Sequence, residues 1–197
     1  LFTPGHDTNH PTVTYSQLKE INRQGRNLGP ALVRLVSKDV LFVPGQHKEG
    51  DKAVDNRVPI DILTYPSGFN ATKKDKWIRG VLNVANLGTK NDGLKGDILL
   101  SWFQVLDESL DGPAHNGEWY FMVTNGLTDR NAGGPSCRQK ITLNFHFKDS
   151  GIKSIQRLSR TTGKIEDVPL KAIEKDPGRY LMTLEPDGGT GDLFKFN

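Results

Sequence analysis

The sequence has little of three features that would each point to a class of protein. Cysteine occurs once, at Cys137, so the chain cannot form an internal disulfide. No apolar run approaches the roughly 18 residues of a membrane-spanning helix, which excludes a helical membrane span. The 26 basic residues are scattered among 23 acidic ones, so no basic stripe for nucleic acid is present. What remains is a chain of 197 residues with the composition of an ordinary globular domain and a mean hydropathy of −0.52.

The stretch TYSQLKEINRQGRNLGPALVRLVSKDVLFVPG, residues 14–45, has the periodicity of a helix. Apolar residues recur three and four positions apart, with Gly25 in the series, and form one stripe: Leu18, Ile21, Leu28, Leu32 and Leu35. The pattern predicts one long amphipathic helix with Thr14 as its N-cap. Pro30 lacks an amide hydrogen, so we expect a kink or a division near Gly29. The stripe would cover the sheet that follows or a neighbouring domain outside this chain.

After Asp97 the sequence changes to short apolar runs separated by turn residues. GDILLSWFQVLDE and GEWYFMVTNG are two such runs, and QKITLNFHFK alternates with a period of two. The alternation places one set of residues on the core face of a strand: Ile141, Leu143, Phe145 and Phe147. Thr142, Asn144, His146 and Lys148 would then face away from the core.

The remaining runs complete the predicted fold. A hairpin is expected around Thr162 and Gly163, and two closing strands around a turn at Gly188–Gly191. The whole pattern predicts a mainly β protein, an antiparallel β-sandwich preceded by an N-terminal amphipathic helix. We divide the chain into a tail and helix at residues 1–45 and a sandwich at residues 46–197. Within the second part, Pro and Gly interrupt residues 46–96, which we interpret as an irregular excursion with one or two short strands.

Several of these segments together resemble a known arrangement. An aromatic residue followed by LKEIN and LGPAL, with a strand-like exit near Val40, is similar to the last barrel helix of glycoside hydrolases of the β-galactosidase and agarase type. GDILLSWFQ, EWYFMVTN and YLMTLEPDGGTGDLFKF are similar to strands of the accessory β-sandwich that follows the barrel in those enzymes. Residues 46–96 depart from the pattern.

The resemblance implies that the helix is the remnant of an upstream catalytic barrel, which would be its partner. It also implies a secreted or periplasmic protein whose signal lies outside this chain, because residues 1–4 do not have a signal-peptide layout. If the barrel is absent, the helix stripe could instead pair with a second copy of the chain.

The titratable residues do not form a catalytic pattern in the sequence. Glycosidases need two carboxylates across the scissile bond, and the candidates lie in turn-like sequence: Asp107, Glu108, Asp111 and Glu118. We interpret them as solvated turn residues and expect no catalytic residues in this chain. Pro4 and Pro11 flank the closely spaced His6 and His10, which argues against a helical metal site, so no metal or cofactor is expected.

Sugar binding without catalysis is the main alternative. Sugars stack on exposed aromatic rings, and Trp77, Trp119 and Tyr65 lie in or beside polar or irregular sequence, whereas Trp102 lies in an apolar run typical of a core. The resemblance implies a non-catalytic accessory domain of a glycoside hydrolase, which would buttress its barrel. The alternatives are a free-standing carbohydrate-binding module, which would bind a polysaccharide or oligosaccharide, and an enzyme in its own right.

Overall fold

The computed structural model describes residues 13–58, 63–64, 77–110, 113–148 and 150–197. Within these ranges it contains one α-helix and thirteen strands. The elements are α1 (Val13–Leu32), β1 (Leu35–Val43), β2 (Gln46–Glu49), β3 (Lys52–Asp55), β4 (Leu63–Thr64), β5 (Ile78–Asn86), β6 (Ile98–Val105), β7 (Tyr120–Asn125), β8 (Gln139–His146), β9 (Ile155–Leu158), β10 (Ile165–Asp167), β11 (Lys171–Ala172), β12 (Arg179–Leu184) and β13 (Gly191–Phe196).

Two sheets pack face to face and form the predicted sandwich. The larger sheet has seven strands in the order β10-β9-β13-β7-β6-β1-β4, and the smaller has four in the order β11-β12-β8-β5. Strands β2 and β3 form a separate hairpin. The pairings are antiparallel except for β1 with β4, which is parallel. The mainly β fold with an N-terminal helix is therefore confirmed.

The core lies between the two sheets and is rich in aromatic side chains. Trp102, Phe121, Phe145 and Phe194 are almost fully buried there. The rings of Phe121 and Phe194 stack with centroids 4.9 Å apart. Offset and edge contacts of this kind add to the burial energy of each ring. The prediction that Trp102 belongs to the core is confirmed, because its side chain is almost fully buried.

Strand β8 has the predicted register. Ile141, Leu143 and Phe145 have no exposed surface, and Phe147 just beyond the strand is also buried. On the opposite face Asn144 points away from the core as predicted, yet it is only 4% exposed. Its amide oxygen lies 3.4 Å from the donating Nε of Arg179, so the neighbouring side chain covers it.

The long helix predicted to run through residue 45 is shorter in the structure. Helix α1 ends at Leu32, two residues after Pro30, and is not divided at Gly29. Thr14 lies inside the helix rather than at its N-cap. Leu35 belongs to β1, which pairs with β6 in the large sheet. Its position continues the helical spacing, but the following residues are rich in valine and adopt a strand. Strand β1 therefore belongs to the sandwich, although the sequence division groups it with the helix.

The two halves of α1 differ in how they contact the sandwich. In the C-terminal half, Leu28 is 7% exposed, and the Asn27 amide donates to the Arg160 carbonyl oxygen at 2.7 Å. In the N-terminal half, Leu18 is 41% and Ile21 63% exposed. Leu32 is partly buried. The apolar stripe of the helix is therefore covered near its C-terminal end and open near its N-terminal end.

Residues 46–96 contain more regular structure than the sequence predicted. The prediction of an irregular excursion with one or two short strands is wrong, because β2, β3, β4 and the nine-residue β5 all lie in this range. Strand β5 pairs with β8 along most of its length. Two register shifts in β5 interrupt its alternation, which explains why the sequence pattern was weak.

The glycine-rich turn at Gly188–Gly191 is not a hairpin. The preceding strand β12 lies in the small sheet and the following strand β13 in the large one, so the turn connects the two layers. A Cβ atom at Gly188 would lie 2.4 Å from the Cβ of Cys137. Glycine is therefore required here, because two backbone segments of the chain approach each other closely. The hairpin predicted around Gly163 is confirmed by the pairing of β9 with β10.

A buried amide side chain joins the loops at one end of the sandwich. Asn125, the last residue of β7, has no exposed surface. Its Nδ2 donates to the carbonyl oxygens of Cys137 and Pro186 at 2.8 and 3.0 Å. Its Oδ1 accepts the backbone N–H of Leu127 at 2.9 Å. The amide thus satisfies three buried backbone groups that have to be paired.

A second buried amide extends this network to the other sheet. Gln139 begins β8, is fully buried and donates from Nε2 to Oδ1 of Asn125 at 2.6 Å. Its Oε1 accepts the backbone N–H of Gly96 at 2.6 Å. Because β7 and β8 lie in different sheets, this side-chain bond connects the two layers directly.

The register of β8 predicts a large difference between two alanine substitutions. Phe145→Ala should lower the free energy of unfolding by about 3–5 kcal/mol, through lost burial and the cavity left behind. Thr142→Ala, on the other face, should cost about 1 kcal/mol or less, because only a 3.3 Å hydroxyl contact to Thr183 is lost. Urea unfolding of both variants measures the difference, and equal losses would contradict the register.

Asn125→Leu should destabilise the protein by about 3 kcal/mol or more, because it keeps the side-chain volume but leaves several buried polar groups without partners. Asn83→Leu, on an exposed position of β5, is the matched control and should change stability by about 0.5 kcal/mol or less. Thermal or urea unfolding measures both. If the two substitutions cost the same, the Asn125 network does not stabilise the fold.

Candidate functional site

Trp77, one of the three predicted sugar-binding aromatics, lies immediately before β5. Its ring contacts Phe196 edge to face with centroids 4.7 Å apart. The side chain is half-buried and packs against the core. Only part of the ring is therefore left for a ligand.

Trp119 lies just before β7 in a similar setting. Its ring meets that of Trp102 edge to face at 6.2 Å, and Trp102 in turn stacks on Phe196 at 5.9 Å. The structure thus brings Trp77 and Trp119 to the same aromatic cluster, at the end of the core. The third residue, Tyr65, lies outside the described residues, so a sugar site formed by the three stays a prediction.

The carboxylates after β6 serve the local backbone. Asp107 accepts hydrogen bonds from the Ser109 hydroxyl at 2.6 Å and from the backbone N–H groups of Ser109 and Leu110. The hydroxyl bond, with the two backbone bonds, lowers the pKa of Asp107 below its ordinary value. Glu108 is exposed, and Asp111 lies outside the described residues. This geometry agrees with the interpretation of Asp107 as a turn residue.

Glu118 is the centre of a cluster that the sequence did not predict. Its carboxylate forms an ion pair with Lys195 at 2.7 Å and lies 2.9 Å from the His115 ring. The Tyr120 hydroxyl donates to the same carboxylate at 2.7 Å. Lys195 is 77 positions away in the chain, and only the pairing of β13 with β7 places it opposite Tyr120. No sequence pattern could have found this contact.

The environment of Glu118 keeps it negatively charged. Partial burial opposes the charge, but the hydrogen bonds from Lys195 and Tyr120 outweigh burial, so the pKa of Glu118 lies below its ordinary value. Burial and the contact with Glu118 raise the pKa of Tyr120. A general acid of a glycosidase needs a raised carboxyl pKa. The cluster is therefore suited to holding β7 and β13 together rather than to protonating a leaving group.

Metal binding and thiol chemistry are both disfavoured at the described residues. No group of three His, Cys, Asp or Glu side chains among them could hold a metal ion, and His6 and His10 lie outside this set. Cys137 is buried, and burial raises the pKa of its thiol, which disfavours the reactive thiolate. In the described part of the chain, no helix has both the length and the apolar character needed to cross a membrane.

The N-terminal half of α1 forms the most apolar exposed surface that can be assigned to one element. Tyr15, Leu18 and Ile21 are all more than 40% exposed and lie three residues apart on successive turns. An open groove of 680 Å³ lies between this half of the helix and the loops at residues 133–135 and 187–190. We call the three exposed side chains the helix face.

No protein-family model, curated protein sequence or solved structure matches this chain. The resemblance to glycoside hydrolases therefore stays a prediction that rests on the quoted sequence segments.

The low pKa of Glu118 predicts a pH-dependent contribution to stability. An ionised group whose pKa is lowered by folding stabilises the native state above its ordinary pKa of 4.5, and this contribution is lost as the pH falls through the lower folded value. Glu118→Gln should therefore destabilise the protein most near neutral pH and least at about pH 3. Urea midpoints at several pH values test this. Glu174→Gln, at an exposed position, controls for the loss of one negative charge. A difference that does not shrink towards low pH would contradict the assignment.

Proposed function

We propose that this chain is a non-catalytic accessory domain that buttresses the catalytic barrel of a larger carbohydrate-active enzyme, a glycoside hydrolase. The observation that supports the proposal is the helix face. Full burial of a leucine or isoleucine side chain contributes about 1.5–3 kcal/mol of free energy, and Leu18 and Ile21 would gain it on contact with a partner. An apolar surface on a helix whose C-terminal half is attached to the sandwich is suited to contact with a neighbouring domain.

The attachment of α1 supports a fixed rather than a free helix. Arg23 donates to the Thr161 carbonyl oxygen at 2.6 Å and forms a two-point ion pair with Glu20. Asn27 binds the adjacent Arg160 carbonyl oxygen. These contacts join the helix to the turn between β9 and β10. A partner seated on the helix face would therefore be held in a defined orientation relative to the sandwich.

The described carboxylates also favour a role without catalysis. Glu118 is paired with Lys195, and Asp107 is bonded to its own turn. Neither is placed as an uncharged acid opposite a second carboxylate, which is the arrangement that glycoside hydrolysis uses. We expect the isolated chain to show no turnover of aryl glycosides.

The test uses two aspartate substitutions in two contexts. In the isolated chain, Leu18→Asp with Ile21→Asp should change the free energy of unfolding by about 0.5 kcal/mol or less, because both side chains are already exposed. In the complete parent protein the same pair should cost several times more, since each buried apolar side chain contributes about 1.5–3 kcal/mol. Asn22→Asp, exposed on the same helix, is the control and should have little effect in either context.

Two results would contradict the proposal. One is a coding sequence in which no barrel of about 250 residues precedes Leu1 in frame. The other is a parent protein whose thermal unfolding is unchanged by the two aspartates. Hydrolysis of an aryl glycoside by the isolated chain, lost on changing Glu118, would instead identify an enzyme.

A further inference from the structure

The outer face of the small sheet carries a row of basic side chains. Arg179 on β12 pairs with His146 on β8, and Arg79 on the neighbouring strand β5 lies in a bulge between Ile78 and Gly80. These residues alternate with core side chains and so point away from the core. The bulge directs Arg79 towards β8, where its guanidinium lies 3.2 Å from Nδ1 of His146. We call Arg79, His146 and Arg179 the basic row.

No carboxylate among the described residues forms an ion pair with Arg79. Within that part of the chain, its guanidinium has one hydrogen-bond partner, the ring of His146. A guanidinium can only donate, so Nδ1 of His146 is the acceptor and the ring proton is on Nε2. The row therefore presents the free N–H groups of Arg79 and one N–H of His146 as donors.

Arg179 is positioned by its neighbours at the other end of the row. It donates from Nε to the buried amide oxygen of Asn144 at 3.4 Å and forms an ion pair with Asp176 at 2.9 Å. These contacts hold its guanidinium on the sheet face. Its charge is balanced by Asp176, so the net positive charge of the row comes from Arg79.

The surface beside the basic row carries hydroxyl and amide groups, together with the partly exposed Leu181 opposite Asn144 and the exposed Leu82 in the second bulge of β5. Thr142 and Thr183 pair across β8 and β12 with their hydroxyl groups 3.3 Å apart, and Asn83 on β5 is exposed opposite Thr142. Hydroxyl and amide groups suit a ligand that is itself rich in hydroxyls. The described outward-facing residues of this sheet include no aromatic ring, on which bases of single-stranded nucleic acid would stack.

We infer that the basic row binds an anionic group, a carboxylate or a sulfate ester, carried by a polysaccharide that lies across Asn83, Thr142 and Thr183. The anion is held by Arg79 and by His146, whose ring donates from Nε2. Arginine is the side chain best matched to both anions because its planar fork donates two parallel hydrogen bonds. The inference rests on the carbohydrate part of the proposed function but concerns a different surface, because α1, which carries the helix face, is attached to the large sheet.

The experiment measures binding of the isolated chain to soluble polysaccharides by affinity electrophoresis and calorimetry. The probes are a neutral galactan, a carboxylated polygalacturonate, a sulfated galactan, inorganic sulfate and single-stranded DNA. The variants are Arg79→Gln, which removes the charge, and Arg79→Lys, which keeps the charge but loses the fork. Arg26→Gln, exposed on α1, is the matched control for the loss of one positive charge. Thermal unfolding of each variant confirms that it is folded.

We expect one of the two anionic polysaccharides to bind more tightly than the neutral one, with an affinity that falls as salt is added. Arg79→Gln should weaken this binding about tenfold or more, as expected for hydrogen bonds to a charged group. Arg79→Lys should weaken it less, and Arg26→Gln should leave it unchanged. Whether the carboxylated or the sulfated probe binds identifies the anion.

Four results would overturn the inference. They are no binding of either anionic polysaccharide, equal binding of the neutral one, equal losses in Arg79→Gln and Arg26→Gln, and binding of inorganic sulfate or DNA as tight as that of the polysaccharide. None of these depends on the helix face. The failure of this inference is therefore distinguishable from the failure of the buttressing role.

Discussion

The hydrogen bond between the buried amides of Asn125 and Gln139 constrains the arrangement of the whole sandwich. It joins the end of β7 in the large sheet to the start of β8 in the small one. Around it, the same two amides pair with backbone groups of Cys137, Pro186 and Gly96. Each of these partners lies between strands rather than within one. The relative position of the two sheets at this end is therefore fixed by polar contacts, in addition to the packing of the core.

Buried amides constrain the fold in this way because a buried amide without hydrogen-bond partners is strongly destabilising. In a low-dielectric interior a satisfied network is strong, and an unsatisfied member is costly. The glycine at position 188 fits the same requirement, because any side chain there would collide with Cys137. At the end of the molecule where the chain crosses between the two sheets, the backbone segments therefore pack closely and the amides of Asn125 and Gln139 pair with buried backbone groups.

The parts of the fold that could be predicted from the sequence are those with an uninterrupted period. Strand β8 alternates over its full length, so its core face was assigned correctly. The end of α1 could not be placed, because Leu35 continues the helical spacing by coincidence while the valines after it favour a strand. The turn before β13 was interpreted as a hairpin because adjacent strands often pair, whereas here the chain changes sheets.

The candidate sites were harder to predict for a related reason. Glu118 and Lys195, or Arg79 and His146, become neighbours only through strand register, which the sequence does not show for distant segments. The sequence identifies the aromatic residues as candidates for ligand binding, but it does not show how their rings are oriented. Trp77 and Trp119 lie beside polar sequence and yet turn part of each ring into the core.

The edges of the two sheets have a consequence for how this protein meets other proteins. At three of the edges lie β10 and β11, with three and two residues, and β5, whose ladder is interrupted by two register shifts. Short and bulged edges offer few consecutive unpaired backbone groups, so they are poor templates for adding a foreign strand. These edges therefore resist the runaway strand addition that leads to amyloid. Recognition at this part of the molecule has to proceed through side chains rather than through backbone pairing.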